Sequence, residues 1–304
     1  GPGIAGPGAS RRALLLGLGL APVLAACGIR PTPATTASAS DLPLPVGSAS
    51  PSSTRTAAPA STPAGDGTRI YGTLASTSTG LNHNWIVIYP PGASTKAHLP
   101  VVIVLHGMGD NIDALSHLNY HVHLGEAVRA GVQPFALSAI DGNVLFWQKI
   151  GNQDGGALVA TEFVGLLAAR GLDTSRLGLT GWSMGGWGTL RLAQNELSGK
   201  LRAAAPMSTP LYPDAAAAPE RWISDTDYKA GNPYTRPQLL NDLPLWFACG
   251  TSDQFYPGNL DFVAILDQTP GVLAPETHFT PGSHSFEFWE SAVPEQFRFL
   301  GAHL

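Results

Sequence analysis

From residue 68 onward, apolar residues fall into two alternating kinds of segment. Leu99–Leu105 is an unbroken apolar run, which marks a central strand buried on both faces. Shorter runs at 68–73, 84–89, 134–140, 176–180, 201–206, 244–250 and 276–280 also read as strands, several of them closed by Gly or Pro. Between them lie stretches with helical spacing. In 114–130, Leu115, Leu118, Val122 and Val128 fall on one face, and Gly131 ends the helix. In 157–170, Val159, Phe163, Leu166 and Leu167 do the same before Gly171. A last helix is expected over 286–300. Strands and helices alternating at this length imply an α/β fold, with a mostly parallel central sheet and helices on both faces. Residues 209–241 break the pattern with five prolines (210, 213, 219, 233 and 237) and with Trp222, Tyr228 and Tyr234. They are expected to form a short cap bordering a substrate.

Composition divides the chain further. Ser10-Arg11-Arg12 followed by an apolar stretch to Ala26 resembles a twin-arginine export signal. That stretch ends in Leu24-Ala25-Ala26-Cys27, which resembles the lipobox of bacterial lipoproteins, with Cys27 as the lipidated residue. Residues 28–66 are nearly all Pro, Ala, Ser and Thr and contain no aromatic side chain, so they lack the apolar surface needed to offset ordering entropy. The expected organisation is a signal segment over 1–27, a tether over 28–66 and a catalytic domain over 67–304. The expected location is the outer face of a bacterial cell membrane, reached through a lipid anchor. Net charge is −5 with 17 Lys and Arg, which gives no basic footprint for nucleic acid. The two cysteines, Cys27 and Cys249, lie in different regimes, so no disulfide framework is indicated.

The chemistry concentrates in Gly181-Trp182-Ser183-Met184-Gly185. This is the G-x-S-x-G pattern of a serine exposed on a sharp strand-to-helix turn. A serine hydroxyl needs a base to become nucleophilic, and that base needs an acid to orient it. Asp253 follows the strand ending at Gly250, and His284 follows the strand ending at Thr280, in the order Ser, Asp, His. Asp141 is the competing acid, but it precedes the serine. His278 is the competing base, but its neighbours alternate as in a strand, which makes it structural. His106-Gly107-Met108-Gly109, directly after the central strand, has the form of an oxyanion loop, so the N–H groups of Met108 and Met184 are the expected oxyanion donors. Substrate contacts are expected from His106, Gly107, Asp141, Trp147 and Trp182, and Phe146 with Trp147 is expected to form a pocket wall. His121-Val122-His123 has no third ligand nearby, and no spacing implies a metal or an organic cofactor.

With these motifs, residues 68–304 resemble the α/β-hydrolase superfamily, in particular its putative-esterase (esterase D-like) group. That group includes S-formylglutathione hydrolases, feruloyl esterases and bacterial mycolyltransferases. The resemblance rests on His106–Asp110, Asp141-Gly142-Asn143 with Trp147, Gly181–Gly186, Cys249–Asp253 and Pro281–His284. It implies a serine carboxylic-ester hydrolase working through an acyl-enzyme on a small-molecule or glycolipid ester. A mycolyltransferase-like acyl transfer to a sugar hydroxyl is the alternative. A binding module carrying a relic triad is the third reading.

Overall fold

The computed structural model describes residues 67–218 and 223–304. The expected leader and tether, Cys27 and Trp222 lie outside the described residues. The chain opens with β1 (Thr68–Ala75) and β2 (Asn82–Tyr89), then β3 (Pro100–Leu105), α1 (Ala114–His117), α2 (Tyr120–Arg129) and β4 (Ala136–Ile140). A two-stranded ribbon, β5 (Lys149–Ile150) with β6 (Gln153–Asp154), leads into α3 (Gly155–Ala157), a π-helical turn over Leu158–Phe163 and α4 (Val164–Ala169). β7 (Asp173–Trp182), α5 (Met184–Gln194) and β8 (Leu201–Met207) form the centre. The chain continues through α6 (Asp225–Gly231), β9 (Trp246–Gly250), α7 (Tyr256–Asp267), β10 (Glu276–Thr280) and α8 (Phe286–His303).

Eight strands form one sheet in the order β1-β2-β4-β3-β7-β8-β9-β10. β1 pairs with β2, and β2 with β4, antiparallel; from β4 onward the pairings are parallel. Every residue of β3 is buried, as its apolar run requires. Val102 and Val104 face a cluster that includes Leu124, Phe297 and Leu300 from α2 and α8. Val101, Ile103 and Leu105 face the opposite cluster, with Leu158, Phe163, Leu167 and Leu192. Burying a Val, Leu or Ile side chain contributes about 1.5–3 kcal/mol, so these two layers fix the sheet and thereby the ends of β7, β9 and β10.

Two expected helices differ in detail. The 114–130 segment breaks at Asn119, whose φ is 49°, and Val122, expected to face inward, is exposed. Leu115 and Leu118 are buried within or just after α1, so an apolar spacing that looks continuous is shared between two helices. The 157–170 segment starts at Gly155 and contains the π-helical turn. Gly131 and Gly171 end their helices with φ of 92° and 87°, in the left-handed region where glycine costs least.

That π-helical turn presents Glu162 to the β1–β2 connection. Its Oε1 accepts from the N–H of Thr77 and Ser78, at 2.9 Å each, and from their hydroxyls at 2.6 and 3.0 Å. Partial burial pushes the Glu162 carboxyl up, but the Ser76, Thr77 and Ser78 donors outweigh it and hold it at about 2. A carboxylate depressed in the folded state stabilises the fold above its ordinary range and loses that contribution as pH falls toward about 2. Glu162→Gln should therefore lower the melting temperature by roughly 2–4 °C at pH 7, with the gap from wild type closing as pH falls to about 2. A gap that does not change with pH in a thermal melt series would refute this.

Candidate active site

Ser183 sits between β7 and α5 with φ 55° and ψ −120°, a strained conformation for any residue with a side chain. Its N–H is held by the Met207 carbonyl at 2.9 Å. The turn is closed by contact with the neighbouring backbone: a Cβ added at Gly185 would stand 1.9 Å from the Leu105 oxygen. The serine hydroxyl is thereby lifted off the sheet toward the loops that follow β9 and β10.

Those loops carry Asp253 and His284. His284 Nε2 lies 3.0 Å from Ser183 Oγ, and His284 Nδ1 lies 2.9 Å from Asp253 Oδ2. The carboxylate accepts at Nδ1, so the ring proton sits there, and Nε2 accepts from the serine hydroxyl. The Asp253 side chain is 0% exposed and that of His284 is 25% exposed, so the imidazole meets solvent while the carboxylate does not. The His284 ring is also held by the edges of Phe255 and Trp289, each 4.9 Å away and nearly perpendicular. Burial pushes the Asp253 carboxyl up, but the bond from His284, the Phe255 N–H on Oδ1 at 2.9 Å, the His284 charge and the Ser208 hydroxyl together bring it below the ordinary carboxylate range.

The loop after β3 is fixed by His106, which is fully buried. Its Nε2 accepts from the Gly142 N–H at 2.8 Å, so its proton is on Nδ1, which donates to the Gly107 carbonyl at 2.7 Å. Burial holds this imidazole below the ordinary histidine range, against the opposing pull of the Gly107 carbonyl, Asp141 and Asp110. In a trans peptide the N–H leaves from the edge opposite the C=O. Anchoring the Gly107 carbonyl therefore orients the Met108 N–H. The first N–H groups of α5, beginning at Met184, have no acceptor within the helix. Met108 and Met184 both line a cavity of about 220 Å³ together with Ser183, His284, Phe146, Pro210, Gln254 and Phe255.

The expected substrate contacts need correction. His106, Trp147 and Trp182 are fully buried and do not line this cavity. Trp182 donates to Asp110 at 3.0 Å, and Gly107 packs against both of them. Trp147 lies beneath the loop, against Gly142, Gly188 and the His106 ring. Asp141 accepts from the Ile112 N–H at 2.8 Å and borders a separate groove beside Tyr71 and Asn84. Of the described residues in 209–241, Pro210 alone lines the cavity; Tyr228 packs on Trp187 and Tyr234 on Phe262. His278 bonds Glu295 at 2.7 Å and stacks on Trp246, and His123 bonds Glu126 at 3.2 Å. Among the described residues there is no group of three or more His, Cys, Asp or Glu side chains placed to hold a metal, and no helix long and apolar enough to cross a membrane. Gln254 and Phe255 were not among the expected contacts, whereas Phe146, expected with Trp147 as a pocket wall, does line the cavity. Phe146 has a φ of 49°, so which of the adjacent aromatics 146 and 147 faces the cavity is set by a backbone reversal that the sequence does not signal.

A mostly parallel eight-stranded sheet, with a strained serine at the end of a central strand and helices on both faces, defines an α/β-hydrolase. Residues 64–215 match the family model described as PET hydrolase-like. The chain belongs to that family and is a carboxylic-ester hydrolase of the serine esterase class. Among solved structures, a ferulic acid esterase superposes with a TM-score of 0.67 at 18% identity, covering 78% of this chain and 98% of its own. The fluorophosphonate-binding serine hydrolase FphF of Staphylococcus aureus gives 0.64 at 19%, covering 77% and 98%. The S-formylglutathione hydrolase FrmB of the same organism gives 0.63 at 19%, with the same coverage. At these identities the likeness is one of fold. None of the curated proteins compared matches the sequence.

Proposed function

We propose that this esterase works through an acyl-enzyme on Ser183, with His284 as general base and then general acid, and with Asp253 holding the imidazole in its productive tautomer. The observation that carries this reading is the continuous path Ser183 Oγ to His284 Nε2 at 3.0 Å and His284 Nδ1 to Asp253 Oδ2 at 2.9 Å. As Ser183 attacks the ester carbonyl, its proton passes to Nε2 and the carbonyl oxygen becomes an oxyanion. The Met108 and Met184 N–H groups receive that oxyanion. The imidazolium then protonates the departing alcohol. Water, deprotonated by His284, releases the acid and restores the serine.

The cavity limits the acyl part. A cavity of about 150 Å³ suffices for a benzene-sized ring, so about 220 Å³ walled by Phe146, Phe255, Met108 and Pro210 accommodates a short chain or one ring. No carboxylate, Lys or Arg is among its lining residues, which favours an uncharged acyl group. A single-ring ester unit of the kind the family name implies is within this size. A long acyl chain would have to lie outside the cavity, which favours hydrolysis of short or aromatic esters over mycolyl transfer. In a series of nitrophenyl esters, kcat/KM should peak at the acetyl, butyryl or benzoyl ester and fall at least roughly tenfold at the palmitoyl ester. A maximum at palmitoyl would refute the size argument.

Export and anchoring through Cys27 are part of the same proposal, resting on the leader motifs alone. Cys27→Ser should abolish incorporation of labelled fatty acid and release the enzyme from the membrane fraction. Unchanged labelling would refute it.

A further inference from the structure

Asn259 lies in the first turn of α7 and takes no part in the proton path, yet it is fully buried. A buried amide offsets its loss of water only through hydrogen bonds. The partners here are backbone groups of two segments. Nδ2 donates to the Thr209 carbonyl at 2.7 Å and to the Phe255 carbonyl at 2.8 Å, and Oδ1 accepts from the Thr209 N–H at 3.4 Å. These partners fix the orientation of the amide: turned over, its oxygen would face two carbonyl oxygens, none of which can donate.

Both segments wall the cavity beside Ser183, one through Pro210 and the other through Phe255. The Thr209 carbonyl shares a peptide plane with the Pro210 nitrogen, so holding that oxygen holds Pro210. Phe255 is held at both ends: its N–H donates to Asp253 Oδ1 at 2.9 Å, and its carbonyl receives the Asn259 amide. The residue before Asn259 joins the same two segments independently. A Cβ added at Gly258 would stand 2.0 Å from the Leu211 oxygen, so α7 and residues 209–211 are in backbone contact. The Leu211 N–H donates to the Thr209 carbonyl at 2.8 Å, but that bond is internal to the segment and does not fix it against α7.

We propose that Asn259 is a positioning residue that sets the acyl-size limit of the enzyme: its amide fixes Pro210 relative to Phe255, and with them the width of the cavity, a role that rests on the reading of this cavity as the acyl site. Asn259 is not among the residues lining the cavity and acts through the two that are. Without the amide, residues 209–211 are free to move off α7, and the cavity opens to longer acyl groups.

The test measures kcat/KM of the full chain on nitrophenyl acetate, octanoate and palmitate. The readout is the octanoyl-to-acetyl ratio, which does not depend on how much of a preparation is folded. Asn259→Leu is close to asparagine in volume. Both carbonyls keep a backbone donor in it, the Leu211 N–H on Thr209 and the residue 259 N–H, at 3.1 Å, on Phe255. The variant should fold, with the ratio raised about tenfold, the effect of roughly one methylene of extra room. Asn259→Asp keeps the shape but turns an oxygen toward two carbonyls, and should raise the ratio at least as much. A residue that only fills space would leave the wild-type ratio in both variants, and that result overturns the proposal. Should the Asn259 variants fail to fold, Gly258→Ala decides. It keeps the amide, but its methyl meets the Leu211 oxygen and pushes 209–211 off α7, so the ratio should again rise; an unchanged ratio overturns the proposal. The two readings fail differently. A wild-type enzyme most active on the palmitoyl ester removes the acyl cavity itself, whereas a wild type that prefers short esters beside an Asn259→Leu enzyme of unchanged ratio removes only this inference.

Discussion

Ser183→Ala is expected to lower turnover of nitrophenyl acetate by a factor on the order of 10⁴ or more, leaving the fold and KM nearly unchanged. The reason is local. In the proposed mechanism Ser183 Oγ is the atom that attacks the acyl carbon, and alanine removes it without filling any space while leaving the His284–Asp253 contact in place. The variant keeps His284 bonded to Asp253 and keeps both candidate oxyanion N–H groups, so residual activity should reflect those groups acting on water alone. Adding His284→Ala to the serine variant should cost little more, because the three side chains act as one unit. Stability should change by only about 1 kcal/mol, the net worth of one hydrogen bond. Strain at φ 55° persists, since alanine tolerates that conformation no better than serine. Kinetics paired with a thermal melt read both quantities. Turnover within tenfold of wild type in a correctly folded variant would remove Ser183 from the mechanism.

The sequence order Ser, Asp, His was readable because the chemistry restricts residue types and the fold restricts where they fall. Each of the three follows a strand of the parallel sheet; the strands before Ser183 and Asp253 end in apolar runs, and the one before His284 is a short segment of strand-forming residues between turn signals. The walls of the cavity were not readable in the same way. Trp147 and Phe146 are adjacent and both aromatic, and which of them faces the substrate depends on two successive positive-φ residues that no periodicity encodes. His106 and Trp182 stand inside recognisable motifs, yet motif membership does not distinguish a side chain that touches substrate from one that shapes the loop beneath it. The break at Asn119 belongs with these, since the apolar spacing continues across it even though the helix does not.

The same reasoning explains why a glycine away from the reacting atoms should matter almost as much as the nucleophile. Gly185→Ala places a methyl 1.9 Å from the Leu105 oxygen and 2.6 Å from its carbon, both of them backbone atoms of the fully buried strand β3. No rotamer change can clear that overlap, so α5 has to move away from β3 and carry Ser183 with it. Overpacking a tight interior costs about 1–3 kcal/mol, and a 1 Å displacement of a catalytic group costs about 10²-fold in rate. The expected result is a kcat/KM at least about a hundredfold below wild type together with a clearly lower melting temperature. Gly165→Ala provides the contrast. Gly165 lies in the exposed part of α4 with nothing within 4 Å of an added Cβ. Alanine there should raise stability by about 0.5–1 kcal/mol through helix propensity alone and leave kcat unchanged. If Gly185→Ala retains wild-type rate and stability, the close approach of β3 to the nucleophile turn is not what holds the serine in place, and the strained geometry at residue 183 must have another source.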